Sequence, residues 1–458
     1  MTTSIAVTDL PVAERLVRES APRSTAVHLI PDSRAVLVVD GSRLFQLDDE
    51  TFERLRIAEA GEGQAVDHLL SGLDLPGRPG GCEEIPQRAP VRALSLAIAQ
   101  KCNLGCSYCY ASQGDFGGSP KNMSAEVAIR AVDLLFSEAP PGSRVNLAFL
   151  GGEPLLNRRV LRQATEYAAA LAQARHVHAG FSITTNGTLL TEDDGRFFET
   201  HGFAVTLSLD GPKPLHDALR PYKSGAGTYD RILNNARPLL ESQKRMQVSA
   251  RVTVTAQNLS LLRTLNEFIA LGFHSVGFSP LLSSFDGARE LDAQSLRTML
   301  AEMVECGREF ERRVLNRQRY PFSNMVNALR EIHRGTHRPY PCGAGAGYLA
   351  VSADGDLAAC HRFVGEPRGA MGNLVTGIDR AGQSRWLAQR HVQDQEPCNR
   401  CWARYLCGGG CHHEVLRRGR PACDYVRGWL HYCIEAYVRL RARAPEWFDA
   451  APGPDLQP

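Results

Sequence analysis

In the stretch Ala93-Leu94-Ser95-Leu96-Ala97-Ile98-Ala99-Gln100-Lys101-Cys102-Asn103-Leu104-Gly105-Cys106-Ser107-Tyr108-Cys109, an apolar, strand-like run is followed at once by three cysteines at C-x3-C-x2-C spacing. Three thiolates in one short loop hold three corners of a 4Fe–4S cube and leave the fourth iron open to a non-protein ligand. A closed zinc site would want a fourth Cys or His close by, and none follows. The spacing also differs from the ferredoxin runs. A zinc loop or a set of buried thiols is the alternative. Tyr108, between the last two cysteines, is placed to lie against a ligand on the open iron.

Outward from this loop the chain alternates between two periods. Apolar, β-rich runs occur at 93–99, 144–150, 180–185, 203–209, 248–255 and 275–280. Helical spacing occupies 158–173, 192–200, 228–242, 260–271 and a longer stretch at 292–315. Ser124 is an N-cap, with Glu126 in the first turn and Val127, Ala131, Leu134 and Leu135 on the apolar stripe. Strand–helix repeats give a parallel sheet with right-handed crossovers. Six units predict an α/β fold, a partial (β/α)6 barrel, whose chemistry sits at the C-terminal strand ends. Three motifs fall there: Gly151-Gly152-Glu153-Pro154, Thr184-Thr185-Asn186-Gly187-Thr188 and Ser208-Leu209-Asp210-Gly211-Pro212. Gly-Gly allows close backbone approach, and Glu153 can accept from an ammonium. Each is also a common turn former, but their placement at successive strand ends favours one site.

The flanks read differently. Strands at 26–30 and 35–39 surround a Pro31-Asp32-Ser33 turn, with short helices at 49–58 and 65–73 and a Gly/Pro-rich linker at 75–90. This α/β segment of about 75 residues is near the minimum for a small domain. After Arg338 the chain is rich in Gly and Cys, with little helical period until Tyr425; an amphipathic run covers 427–443 and a frayed tail 452–458. The 458 residues divide into 1–80, 81–325, 326–440 and 441–458. Apolar content of 43%, charged content of 22% and a net charge of +2 exclude a disordered chain and give no pull toward nucleic acid or anionic membrane. No apolar run is long enough to span a bilayer, and Met1-Thr2-Thr3-Ser4 lacks a secretory pattern, so a cytoplasmic protein is expected. Thirteen cysteines in a reducing compartment then point to metal. Only Cys82 and Cys306 stand apart from the first cluster and a C-terminal group of Cys342, Cys360, Cys398, Cys401, Cys407, Cys411, Cys423 and Cys433.

The first cluster, with an aromatic residue before its third cysteine, resembles the motif of the radical S-adenosylmethionine (SAM) enzymes. The resemblance implies that Gly151, Gly152, Glu153 and Pro154 form the loop for the methionine amino group, and that Thr184, Asn186 and Ser208 lie near the ribose and carboxylate. Arg220 is either the partner of the SAM carboxylate or a surface arginine. It further implies that SAM chelates the open iron and yields a 5′-deoxyadenosyl radical, the cofactor carrying the hard step. Cys342-x12-Gly355-x4-Cys360, Cys398-x2-Cys401-x5-Cys407-x3-Cys411 and Cys423 resemble the SPASM extension, which holds auxiliary clusters. The implied ligand sets are Cys398, Cys401, Cys407 and Cys423 for one, and Cys342, Cys360 and Cys411 for the other, making three 4Fe–4S clusters in all. The last set has either Cys433 as its fourth ligand or an open iron able to bind a substrate thiolate; Cys433 is otherwise a core thiol. A zinc ribbon on Cys398, Cys401, Cys407 and Cys411, with His412 and His413 in reserve, is the alternative.

Residues 94–102 and 110–118 are similar to the maturases of thioether-bridged ribosomal peptides, with the maturase of quinohemoprotein amine dehydrogenase a near relative. The expected activity is that of a radical SAM/SPASM peptide maturase, an oxidoreductase joining a cysteine sulfur to a side-chain carbon. In such relatives a winged-helix-like N-terminal element binds a leader by strand addition; a plain structural cap is the other reading. Asp210 is either a base during bond formation or part of the SAM site or turn. Expected partners are a precursor peptide with a leader and a reductant such as flavodoxin or ferredoxin, with no nucleic acid and no membrane. Carbon–carbon crosslinking, as in pyrroloquinoline quinone biosynthesis, and formylglycine formation by an anaerobic sulfatase maturase are alternatives; the N-terminal segment counts against the latter. A non-enzymatic electron carrier or zinc scaffold leaves the strand-end motifs unexplained.

Overall fold

The computed structural model describes residues 11–59, 64–73, 89–284, 287 and 289–449. Cys82, most of the expected 75–90 linker and the 452–458 tail lie outside the described residues. The chain opens with α1 (Val12–Glu19), β1 (Val27–Ile30), β2 (Ala35–Val38), β3 (Arg43–Gln46), α2 (Asp49–Glu59) and α3 (Gln64–Gly72). The central part runs β4 (Ala93–Gln100), β5 (Lys121–Asn122), α4 (Ala125–Ser137), β6 (Arg144–Gly151), α5 (Arg158–Arg175), β7 (His178–Thr185), α6 (Glu192–His201) and β8 (Ala204–Ser208). It continues through α7 (Lys213–Leu219), α8 (Tyr229–Ser242), β9 (Gln247–Val254), α9 (Leu261–Ala270), β10 (Ser275–Pro280), α10 (Ala293–Leu315) and α11 (Ser323–His333). Last come β11 (Tyr348–Val351), β12 (Asp356–Ala358), β13 (Ala370–Asn373), β14 (Gly377–Ile378), α12 (Arg380–Arg390), α13 (Arg404–Cys407), α14 (His412–Arg418), α15 (Cys423–Arg443) and α16 (Glu446–Asp449).

Six parallel strands lie in the order β10-β9-β8-β7-β6-β4, the open six-stranded barrel expected from the alternation. Ser124 accepts from Val127 N at 3.2 Å and starts α4, as its side chain predicts. Residues of one parity in each strand, such as Val145, Leu147, Phe149, Ile183, Val205, Val248 and Val252, are buried in the main core. Each such side chain contributes roughly 1.5–3 kcal/mol. The opposite parity turns inward and supplies Leu150, Thr184, Ser208, Arg251, Thr253 and Ser279 to a cavity at the barrel mouth. β4 lacks this alternation, being buried along nearly its whole length.

Both barrel edges are covered. On the β10 side, Val276 N donates to Pro321 O at 3.0 Å and Asn324 exchanges bonds of 2.8 and 2.9 Å with Phe278 N and O. On the β4 side, β11 pairs in parallel, and β12, β13 and β14 continue antiparallel. The cysteine-rich segment is therefore continuous with the barrel sheet, and the expected boundary at 325 falls inside α11. α15 returns to pack on α1, α10 and α11.

The N-terminal segment forms a three-stranded antiparallel sheet, β1-β2-β3. Val27, Leu29 and Val36 on one face pack with Phe52, Leu55 and Val66 of α2 and α3. Ile30, Ala35 and Leu37 on the other belong to the main core. The unit is pinned beside the cysteine-rich loop: His28 stacks on Trp402 at 3.7 Å, Trp402 Nε1 donates to Ser20 O at 2.8 Å, and Arg404 reaches Asp40 at 2.9 Å. Among the described residues, no helix is long and apolar enough to cross a membrane.

Candidate active site

The loop after β4 lays Cys102, Cys106 and Cys109 across the mouth of the barrel. With Tyr108, Gly151, Gly152, Thr184, Asn186, Ser208 and Arg220 they line one cavity of about 250 Å³. Ten expected residues thus meet at a single site although they come from four strand ends. Asn103, which the sequence reading passed over, staples the loop: it donates to Thr188 Oγ1 and accepts from Asn186 Nδ2, both at 2.9 Å. Gly151 has φ 141°, and a Cβ there or at Gly152 would collide with the carbonyls of Ala99 and Lys101, so only glycines let these loops close. Burial pushes the Cys106 thiol up to about 12, against the pull of Arg220, and raises Cys102 as well. Such thiols stay protonated near neutral pH until a metal displaces their protons, and a tripod of them is the donor set of an iron–sulfur cube.

Two expected residues lie behind the wall instead of in it. Glu153 is fully buried and already accepts from Leu155 N, Thr185 Oγ1 and Asn186 N at 3.0, 2.7 and 2.8 Å. Its carboxylate ties the β6 turn to β7 and does not face an ammonium. Pro154, also buried, opens the 3-10 turn that follows. Asp210 is fully buried too. It accepts from Tyr108 Oη and from Thr253 N at 2.9 Å, and lies 3.9 Å from Arg220. Burial pushes its carboxyl up, opposed by Arg220, Tyr108 and Thr253. Asp210 holds Tyr108 and Arg220 and does not line the cavity. Arg220, 8% exposed, is accordingly not a surface arginine; its Nη1 donates to Tyr108 Oη at 2.6 Å.

His216 braces Asp210 from below. Its Nδ1 accepts from Asp210 N at 3.2 Å and its Nε2 meets Thr228 Oγ1 at 3.0 Å, so the ring is neutral with the proton on Nε2. Burial and Arg220 lower its pKa to about 3. The unfolded chain therefore takes up this proton first as pH falls below about 6.5, and stability present above that pH is lost toward pH ~3. Urea unfolding is expected to show about 2 kcal/mol lost through this group between about pH 7 and pH 5, and His216→Gln should flatten that slope. An unchanged slope in the variant would refute the assignment.

The other cysteines gather nearby. Cys398, Cys401, Cys407, Cys411 and Cys423 line a second cavity of about 330 Å³. Burial pushes the Cys398 thiol up to about 11, and Cys407, Cys423 and Cys401 act on it by proximity. Burial also raises Cys342, and raises Cys360 to about 12; Cys411 acts on both. The two groups suggested by the family pattern are thus each brought together. His412 and His413 pack instead on Trp386 and Phe363, with His413 reaching Glu366 at 3.2 Å. Cys433 is a correction. It lies fully buried in the helical core, 3.9 Å from Met325 Sδ, and about 15 Å along α15 from Cys423 at helical rise.

One wall joins the two regions. Tyr110, next to Cys109, also lies near Cys360. Arg362, two residues past Cys360, lies 5.2 Å over the Tyr110 ring and lines the first cavity. Arg362 carries no motif signal; the folded β11–β12 extension brings it to Tyr110.

Residues 96–269 match the Radical SAM superfamily model. The chain is 29% identical over 358 residues to a serine-type anaerobic sulfatase-maturating enzyme of Klebsiella aerogenes, covering 74% of this chain and 84% of that one. Its fold is similar to that of native anSMEcpe with bound AdoMet and Cp18Cys peptide, with a TM-score of 0.63, 21% identity, and coverage of 77% and 99%. It is also similar to Streptococcus suis SuiB bound to precursor peptide SuiA, with a TM-score of 0.53, 14% identity, and coverage of 85% and 94%.

Proposed function

We propose, on the premise that this chain is a radical SAM enzyme, that it matures a ribosomally made peptide by closing thioether bonds from cysteine. The observation that carries this reading is the shared cavity. The tripod of Cys102, Cys106 and Cys109 forms one side, and Arg362, two residues from Cys360, forms another. When bound, SAM and a cluster on Cys102, Cys106 and Cys109 would supply hydrogen-atom abstraction from the peptide, and closing a carbon–sulfur bond would release the thiol proton and one electron, which clusters held by the C-terminal cysteines would accept. Cys398, Cys401, Cys407 and Cys423 would hold one auxiliary cluster in a SPASM-like extension, and Cys342, Cys360 and Cys411 the other. The protein's own work is positional. Asp210 and Tyr108 hold Arg220, Asn103 fixes the cysteine loop, and Gly151 and Gly152 let that loop close on β6.

A peptide substrate is supported by the bound peptides named for two similar structures. The N-terminal segment supplies a recognition element: among the described residues β3 is bonded only to β2, which leaves an edge for strand addition by a leader. Thiols reserved for metal suit the reducing cytoplasm, with a flavodoxin or ferredoxin as electron donor. The second reading, formylglycine formation, is favoured by the sulfatase-maturating relative.

Product analysis separates the two. A cysteine-containing precursor encoded beside the gene, incubated with reduced enzyme and SAM, is expected to lose two hydrogens and its reactivity toward iodoacetamide. An aldehyde that condenses with hydroxylamine would establish the formylglycine reading in its place.

A further inference from the structure

We infer that Arg251 forms a carboxylate-binding subsite in the active-site wall, taking an acidic group of the peptide. This rests on the peptide reading above and adds to it a chemical class of substrate. Arg251 sits on β9 between its register partners Ser208 of β8 and Gly277 of β10, with its side chain on the parity that turns into the barrel. The small neighbour matters: a Cβ on Gly277 would stand 3.6 Å from Arg251 Nη1, so the guanidinium lies over that glycine and next to open cavity.

The other charges of the cavity are matched. Arg220 is held by Tyr108 and Asp210, and Arg362 bonds Glu414 at 2.9 Å. Among the described residues, no carboxylate lies within 4.0 Å of the Arg251 guanidinium. The Arg251 side chain is exposed to the cavity, so its charge is open to a ligand. An arginine fork pairs best with a planar carboxylate, and Thr253, Ser279 and Ser283 line the same cavity.

The carboxylate can come from an Asp or Glu side chain, from a peptide C-terminus, or from SAM itself. The test uses the iron-loaded, SAM-bound enzyme and three probes: N-acetylaspartate methylamide, N-acetylasparagine methylamide and N-acetylalanine. The aspartate probe is expected to bind at least about tenfold more tightly than the asparagine probe, the size of one charge-assisted pair. Arg251→Gln should erase the preference and Arg251→Lys keep part of it, which separates lost charge from lost fold. Equal binding of N-acetylalanine and the aspartate probe would support the subsite and assign it to a terminal carboxylate. Equal binding of the aspartate and asparagine probes by the wild type, or a preference surviving in Arg251→Gln, overturns the inference. A comparable loss of SAM affinity in Arg251→Gln overturns it as well, by giving the guanidinium to SAM. If the probes behave as expected while no cysteine peptide is modified, the subsite stands and the thioether reading falls.

Discussion

Replacing Cys106 by alanine is expected to bring 5′-deoxyadenosine formation by the reduced, iron-loaded protein down to the level seen without enzyme. Cys106 is the middle leg of the tripod, and Arg220 is the charge that acts on it most. The loop holds no fourth cysteine to take its place, and the two thiols left cannot fix a cube with one open corner. The side chain is only partly buried, so truncation should leave the unfolding free energy of the metal-free protein within about 0.5 kcal/mol of the wild type. Loss of SAM cleavage without loss of fold is therefore the signature. Cys407→Ala is the companion measurement. Its thiol belongs to the second cavity, so some SAM cleavage should persist while peptide product disappears and bound iron falls. Undiminished 5′-deoxyadenosine from Cys106→Ala, or a wild-type protein that takes up zinc in place of iron and sulfide, would remove the basis for the whole reading.

The barrel was legible because its strands carry their burial in their spelling. In β9, Val248, Ala250, Val252 and Val254 face the helices, while Ser249, Arg251 and Thr253 occupy the other parity. The same alternation marks a lone arginine in mid-strand on the inner face, a signal present in the sequence and overlooked. Motifs at strand ends were legible because parallel strands deliver their C-terminal loops to one rim. What each motif residue touches was not. Glu153 and Asp210 both read as cavity carboxylates, yet both are enclosed by partners that lie far along the chain, Thr185 and Asn186 for one, Tyr108 and Thr253 for the other. Short elements of weak pattern were also missed. β3 is exposed at Arg43 and Gln46 and half-buried between, and α12 has only Gln383, Trp386 and Leu387 buried. Cys433 misled for a related reason: sequence spacing counts residues, while a straight helix carries them about 1.5 Å apart along one axis, away from the cysteine loop.

Asp210→Ala is expected to cost about 3–5 kcal/mol of stability, because it leaves Arg220 buried with its countercharge removed. The same change frees Tyr108 and strips Thr253 N of its acceptor. Since Arg220 and Tyr108 both line the cavity, SAM affinity and 5′-deoxyadenosine formation should fall together with the unfolding midpoint. Asp210→Asn keeps an acceptor for Thr253 N and should lose less on all three counts. A base for carbon–sulfur closure would behave in the opposite way: the asparagine variant would unfold like the wild type and cleave SAM at full rate, yet release unmodified peptide. Urea titration and 5′-deoxyadenosine yield, read on the same preparations, decide between a carboxylate that builds the site and one that reacts in it.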